Sequence, residues 1–164
     1  MKFITCLCYL GIVSFLFFLL GRILPKKWFS CRAFPFRRLE FEDKTDFYEQ
    51  IKIKLWKDKL PDMSKLFPGL IVPKQLVRLS DKKEVEILIS ETCIAEFIHF
   101  LLCIAGFGCT FIWEGIGGYI VSALYAIGNI PFILAQRYNR PRLIRLNNLL
   151  QNFSDENPKA LESC

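Results

Sequence analysis

Three stretches of this chain carry no charge: Phe3 to Gly21, Phe97 to Trp113 and Ile116 to Ala135. Each has about the 17–25 residues that a helix needs to cross the hydrocarbon core of a bilayer. The pattern predicts an all-α membrane protein with three transmembrane helices. The first run lacks a small-residue cleavage site and passes straight into Gly21-Arg22 and Pro25-Lys26-Lys27. It therefore reads as an uncleaved anchor rather than a secretory leader. The other two runs flank Glu114-Gly115-Ile116-Gly117-Gly118 and read as a hairpin. A hairpin buried in a soluble core is the alternative, but too little polar sequence remains to cover two such helices. The chain divides into an N-terminal anchor (1–23), a cytoplasmic amphipathic and loop segment between the first two helices (24–81), the hairpin with two spans and a basic motif (82–148), and a polar tail (149–164). The end of that tail is expected to be disordered.

In the connection, Trp28, Phe29, Phe34 and Phe36 alternate with Lys26, Lys27, Arg32, Arg37 and Arg38. Such a segment suits the headgroup layer, with rings inserted and cations at the phosphates. Lys44 to Leu60 has helical spacing, with Phe47, Ile51 and Leu55 on one face and Pro61 at its end. It predicts a short interfacial amphipathic helix, with a helix packed on a small soluble core as the alternative. Residues 63–79 carry Pro68-Gly69 and Pro73 and read as a loop with turns. Asp81, with Glu84 three residues later, resembles a capping box. The second helix is predicted to run from about Lys82 to about Trp113.

Charge sets the orientation. Arg22, Lys26, Lys27 and Arg32 follow the first span, Lys82 and Lys83 precede the second, and Arg137, Arg140, Arg142 and Arg145 follow the third, while the Glu114 tip has no basic residue. Lys and Arg near span ends mark the cytoplasmic side, so the N-terminus and the tip are expected outside and the C-terminus in the cytoplasm. The net charge of +6 then lies beside anionic headgroups. It does not form one stripe with stacking aromatics, so nucleic acid is not an expected partner. The 7 cysteines show no disulfide framework and no metal-ligand spacing with the single histidine. Buried cysteine acts as a small hydrophobe; lipidation of Cys6 or Cys8 is a weaker reading.

The hairpin carries the candidate chemistry. Steps of three and four place Glu96, His99, Cys103, Gly106 and Thr110 on one face of the second helix, and Ser122, Tyr125, Asn129, Phe132 and Gln136 on one face of the third. Folding at Gly115 to Gly117 pairs Glu96 with Gln136 and Cys103 with Asn129, with His99 between. Arg137, Asn139, Arg140 and Arg142 lie above, at headgroup level. These groups could act only as interhelical hydrogen bonds and membrane anchors. A lone histidine inside a span is costly without a role, and an acid at i−3 can hold its tautomer. His99 is thus the candidate general base, with Glu96 as its catalytic partner. Glu91, Asn129, Gln136, Arg137, Asn139, Arg140 and Arg142 are the candidate substrate contacts, stabilising an oxyanion or holding phosphates of the donor. This constellation suits acyl transfer to a sugar or lipid hydroxyl. It contains no Gly-x-Ser-x-Gly and no His-x4-Asp, since position 104 is Ile.

Glu91-Thr92, Ala95-Glu96-x-Ile98-His99, and Asn129-Ile130-Pro131 with Gln136-Arg137-Tyr138-Asn139-Arg140-Pro141-Arg142-Leu143 resemble the glycosyl-4,4′-diaponeurosporenoate acyltransferase family. The likeness is strongest over residues 83–148. Trp56-Lys57-x-Lys59 agrees more weakly, and the first span agrees in position only. The resemblance implies a bacterial cell-membrane enzyme of the last step of staphyloxanthin carotenoid biosynthesis, which esterifies a glucose hydroxyl of a C30 carotenoid glycoside with a fatty acyl chain. No cofactor or metal is called for. The implied partners are membrane lipids, a glycosylated isoprenoid or carotenoid acceptor, and a fatty acyl donor that is an acyl-CoA or acyl-carrier protein. The rival reading is a non-enzymatic membrane protein that stabilises a lipid- or carotenoid-synthesis complex. A transporter subunit fits less well, because the ionisable groups cluster at one end of the spans.

Overall fold

The computed structural model describes residues 1–40, 42, 46–60 and 82–156, without the side chains of Ser154 and Glu156. Among these residues the protein is all-α. Helix α1 spans Lys2–Ile23. The connection holds a 3-10 turn at Lys26–Trp28 and two short helices, α2 (Phe47–Gln50) and α3 (Ile53–Trp56). Helix α4 spans Lys82–Ala105. A 3-10 turn, Gly106–Gly108, joins it to α5 (Cys109–Ile112). Helix α6 runs from Ile116 to Glu156 with Pro131 and Pro141 inside it. Three segments, Lys2–Ile23, Lys82–Ile112 and Ile116–Phe153, are long and apolar enough to cross a membrane. The protein is a multi-pass membrane protein.

The hairpin closes where the spacing of glycines predicted. Gly115 has φ +98°, a left-handed conformation that glycine adopts without a Cβ clash. A Cβ at Gly118 would lie 2.2 Å from the Trp113 carbonyl oxygen, so only glycine lets α6 start this close to α5. Helix α1 packs antiparallel to the α4–α5 arm: Cys6 and Leu10 join Cys109 in one apolar cluster, and Val13 and Phe17 pack on Ile94, Ile98 and Leu102 in another.

The expectation of one unbroken second helix needs correction at Gly106 and Gly108. A Cβ at Gly106 would lie 2.6 Å from the Tyr125 ring, and one at Gly108 only 2.2 Å from the Tyr9 hydroxyl. Both tyrosines thus press where the helix tightens. Backbone carbonyls at this depth need protein partners. The Tyr9 hydroxyl donates to the Ala105 carbonyl at 2.8 Å, and Ser122 donates to that of Gly106 at 2.9 Å.

The connection also departs from the periodicity. The single amphipathic helix expected over 44–60 is broken at Lys52, whose φ is 49°. Tyr48 and Ile53 are the buried residues, while Leu55 is exposed. Tyr48 packs on Tyr138 of α6, with ring centroids 5.3 Å apart. Tertiary contact with the hairpin therefore overrides the surface stripe. Trp28 and Phe34 are exposed, but Phe29 turns inward onto Phe36 (5.7 Å) and Phe97 (5.6 Å). Residues 149–156, read as polar tail, continue α6. The loop expected over 63–79, Asp81 of the capping box and the end of the tail lie outside the described residues.

Candidate active site

Two guanidiniums and two carboxylates form the polar centre of the hairpin mouth. Arg137 and Arg140 project from α6, Glu96 from α4, and Glu42 from the connection. Arg137 donates Nε and Nη2 to the two oxygens of Glu42, each at 2.8 Å, and Nη1 to Glu96 Oε1 at 2.7 Å. It also reaches the carbonyls of Pro35 and Arg37, each at 3.1 Å. A guanidinium has five N–H donors, and Arg137 uses all of them. Arg140 donates Nε to Thr92 Oγ1 at 2.9 Å, Nη1 to the Phe36 carbonyl at 2.7 Å, and Nη2 to Glu96 Oε2 and to the Thr92 carbonyl. It is 3% exposed.

Arg137 and Arg140 balance Glu96 and Glu42, so the cluster is neutral as well as hydrogen-bonded. Both conditions are needed for charges held out of water. The Tyr48 hydroxyl and the Leu39 N–H complete Glu42's shell. Burial pushes the Glu42 carboxyl up, but the Arg137 guanidinium and these donors outweigh it and hold the group at about 2, against an ordinary 4.5. Burial and the bond to Glu42 push the Tyr48 phenol up. The cluster ties the 35–42 stretch across the mouth of the hairpin.

His99 lies one turn deeper on α4, on the seam with α6. Its Nδ1 is 2.8 Å from Asn129 Oδ1, and its ring stacks on Phe132, with centroids 4.6 Å apart and planes 12° apart. Asn129 in turn donates Nδ2 to the Tyr125 carbonyl at 2.9 Å. That bond decides the amide's orientation, since a flipped amide would set oxygen against oxygen. Asn129 therefore presents an acceptor, Nδ1 of the neutral imidazole carries the proton, and the lone pair sits on Nε2. Tyr125 is itself held through its hydroxyl, 2.8 Å from Ser14 Oγ on α1. All three long helices thus set one ring nitrogen.

This geometry corrects the expected pairings. Glu96 does not orient His99, because each of its oxygens faces an arginine; Asn129 takes that place. Glu96 meets Arg137 and Arg140 rather than Gln136. Cys103 Sγ faces the Ala126 carbonyl at 3.6 Å rather than Asn129. His99 and Cys103 meet α6 about one turn nearer the hairpin turn than folding at Gly115 to Gly117 places them, opposite Asn129 and Ala126. Arg137 and Arg140 hold protein carbonyls and carboxylates, which leaves Arg142, exposed and stacked over Tyr138 at 4.3 Å, as the accessible arginine of the motif. Glu91 pairs with Lys26 at 2.8 Å in a partly exposed contact. Gln136 and Asn139 are half-buried. Among the described residues no group of three His, Cys, Asp or Glu side chains could hold a metal ion.

Sequence reasoning missed Glu42. A signal existed: two hairpin arginines at one level with only Glu96 beside them require a second acid. The connection offers Glu40, Glu42, Asp43, Asp46 and Glu49, and nothing in their spacing selects among them.

Comparison with known proteins bears on what this site does. The profile of the glycosyl-4,4′-diaponeurosporenoate acyltransferase family matches residues 25–149. Proteins of that name from Staphylococcus aureus strains N315 and MRSA252 are 30% and 32% identical to the chain, over 80% of its length and 79% of theirs. No solved structure matches the chain. The match covers the connection that carries Glu42 and the whole hairpin with His99, Asn129 and both buried arginines. The chain belongs to the glycosyl-4,4′-diaponeurosporenoate acyltransferase family and is an acyltransferase.

Proposed function

We propose that the protein esterifies a sugar hydroxyl of a glycosylated carotenoid with a fatty acyl group at the cytoplasmic face of a bacterial membrane. The observation that carries this reading is His99, whose Nε2 bears the lone pair at the seam of α4 and α6 and has no hydrogen-bond partner among the described residues. The relatives' name, which describes a glycosylated diaponeurosporenoate, supports the choice of acceptor. Nε2 removes the proton of the sugar hydroxyl as its oxygen attacks the carbonyl of an acyl thioester. The C–S bond then breaks, the new ester C–O bond remains, and the imidazolium returns its proton to the departing thiolate. Arg137 and Arg140 are committed to protein partners, so Gln136 and Asn139 are the amides left to donate to the oxyanion. The exposed Phe100, next to His99 on α4, suits a polyene lying in the bilayer while its sugar rises to His99.

The test is acyl transfer from a labelled acyl thioester to a glycosylated carotenoid by the purified protein in liposomes. Labelled ester is expected, and its absence with a well-folded protein would favour the complex-stabilising role. Orientation is tested in intact cells with an impermeant thiol reagent. A cysteine at position 114, in a background without other cysteines, is expected to label from outside, and Cys31 alone is not. Labelling of Cys31 in cells with sealed membranes would reverse the assigned orientation and the cytoplasmic donor with it.

A further inference from the structure

Helix α1 reads from the sequence as an anchor, and an anchor needs only apolar side chains. Two of its hydroxyls are committed to the hairpin instead. Tyr9 donates to the Ala105 carbonyl at 2.8 Å, where α4 passes into the 3-10 turn. Ser14, half-buried, lies 2.8 Å from the Tyr125 hydroxyl of α6. Counting protons gives the direction of that bond. Ser14 Oγ is also 2.7 Å from the Leu10 carbonyl, which can only accept. A serine hydroxyl has one proton, and it goes to Leu10. The Tyr125 hydroxyl therefore donates to Ser14. Helix α1 thus supplies Tyr125 with an acceptor at a depth where water does not.

Tyr125 links α1 to the histidine. Its ring sits against Gly106, where a Cβ would lie 2.6 Å from it, and packs on the cluster of Ile94, Ile98 and Leu102 that Val13 and Phe17 of α1 also cover. Held at the ring by Gly106 and at the hydroxyl by Ser14, the residue has one place in the seam. Its carbonyl accepts Asn129 Nδ2 at 2.9 Å, and Asn129 Oδ1 takes Nδ1–H of His99 at 2.8 Å. We infer that Ser14 and Tyr125 are positioning residues of the acyl transfer: α1 holds Tyr125 through Ser14, and Tyr125 holds the Asn129 amide that fixes the tautomer of His99. This rests on the proposed role of His99 as the base, and it makes α1 a working part of the site as well as an anchor.

The experiment measures transfer from a labelled acyl thioester to a glycosylated carotenoid in liposomes, at matched amounts of inserted protein. Ser14→Ala is expected to lower kcat by roughly 3- to 20-fold, the range for one interhelical hydrogen bond in a membrane, with KM for both substrates unchanged. Tyr125→Phe keeps the ring against Gly106 and loses only the hydroxyl. It should lower kcat by a similar factor, and the double variant by no more than either alone. Ser14→Thr restores the acceptor and should restore most of kcat. In an Asn129→Leu background Ser14→Ala should change kcat no further, because the path to His99 is already cut. Full kcat in both Ser14→Ala and Tyr125→Phe, beside a His99→Ala protein that has lost turnover, overturns the inference and leaves the base assignment standing. An equal loss with and without Asn129→Leu also overturns it, since α1 would then act through packing alone. Wild-type turnover by His99→Ala removes the base and the positioning roles with it.

Discussion

His99→Ala is expected to lower turnover by roughly 10²–10⁴-fold, the range for loss of a general base, while the protein accumulates in the membrane at its normal level. The separation of the two effects follows from the packing. His99 makes one hydrogen bond, to Asn129, and one ring contact, to Phe132, whereas the helices are joined by the ion cluster and two apolar clusters. Asn129→Leu keeps the volume but removes the acceptor that fixes Nδ1–H, so it should lower kcat with little change in the KM of either substrate. Asn129→Asp restores an acceptor and should recover part of the loss. Acyl transfer in liposomes at matched protein levels is the measurement. Wild-type turnover by His99→Ala would remove the base assignment, and the histidine would then be an interhelical hydrogen bond.

Arg137→Met has a different signature. It leaves Glu42 without the guanidinium that holds both its oxygens and Glu96 with Arg140, and the two acids are only 4% and 6% exposed. Breaking a buried charge pair by removing one partner costs about 3–5 kcal/mol. The loss should appear first as faster amide exchange across Phe36 to Glu42, because Arg137 bonds the Pro35 and Arg37 carbonyls and both oxygens of Glu42. Arg142→Ala, at an exposed position, should leave that exchange unchanged.

The same cluster makes the closed connection sensitive to acid. Glu42 is held at about 2, against 4.5 in the open chain, so its contribution is complete above about 4.5. It is lost as pH falls through that window toward 2, when the unfolded state takes up the proton first. Exchange in the 35–42 stretch should rise over the same pH range. If Arg137→Met exchanges like the wild type, the cluster does not latch the connection.

Some of this was written in the chain itself. Uninterrupted apolar runs have no alternative in a bilayer but helices, and Gly115 marks a place between the last two runs where the chain can reverse, so three spans and a hairpin followed from local rules. Residue type also singled out His99, because an imidazole inside an apolar run stands out against its surroundings. Tertiary structure decided who meets whom. Periodicity gives a face but not an axial offset, so it set Glu96 against Gln136. Packing put Asn129 against His99, and Tyr9 and Tyr125 from other helices press on the tightened turn at Gly106 to Gly108. Glu42 could not be found from spacing at all. It lies on an irregular stretch with several acids, and only the folded connection brings one carboxylate of that stretch to the Arg137 guanidinium, almost a hundred residues away. Arginines that look alike in Gln136 to Arg142 were divided by geometry: Arg137 and Arg140 face inward and spend their donors on the fold, while Arg142 is exposed and lies over the Tyr138 ring.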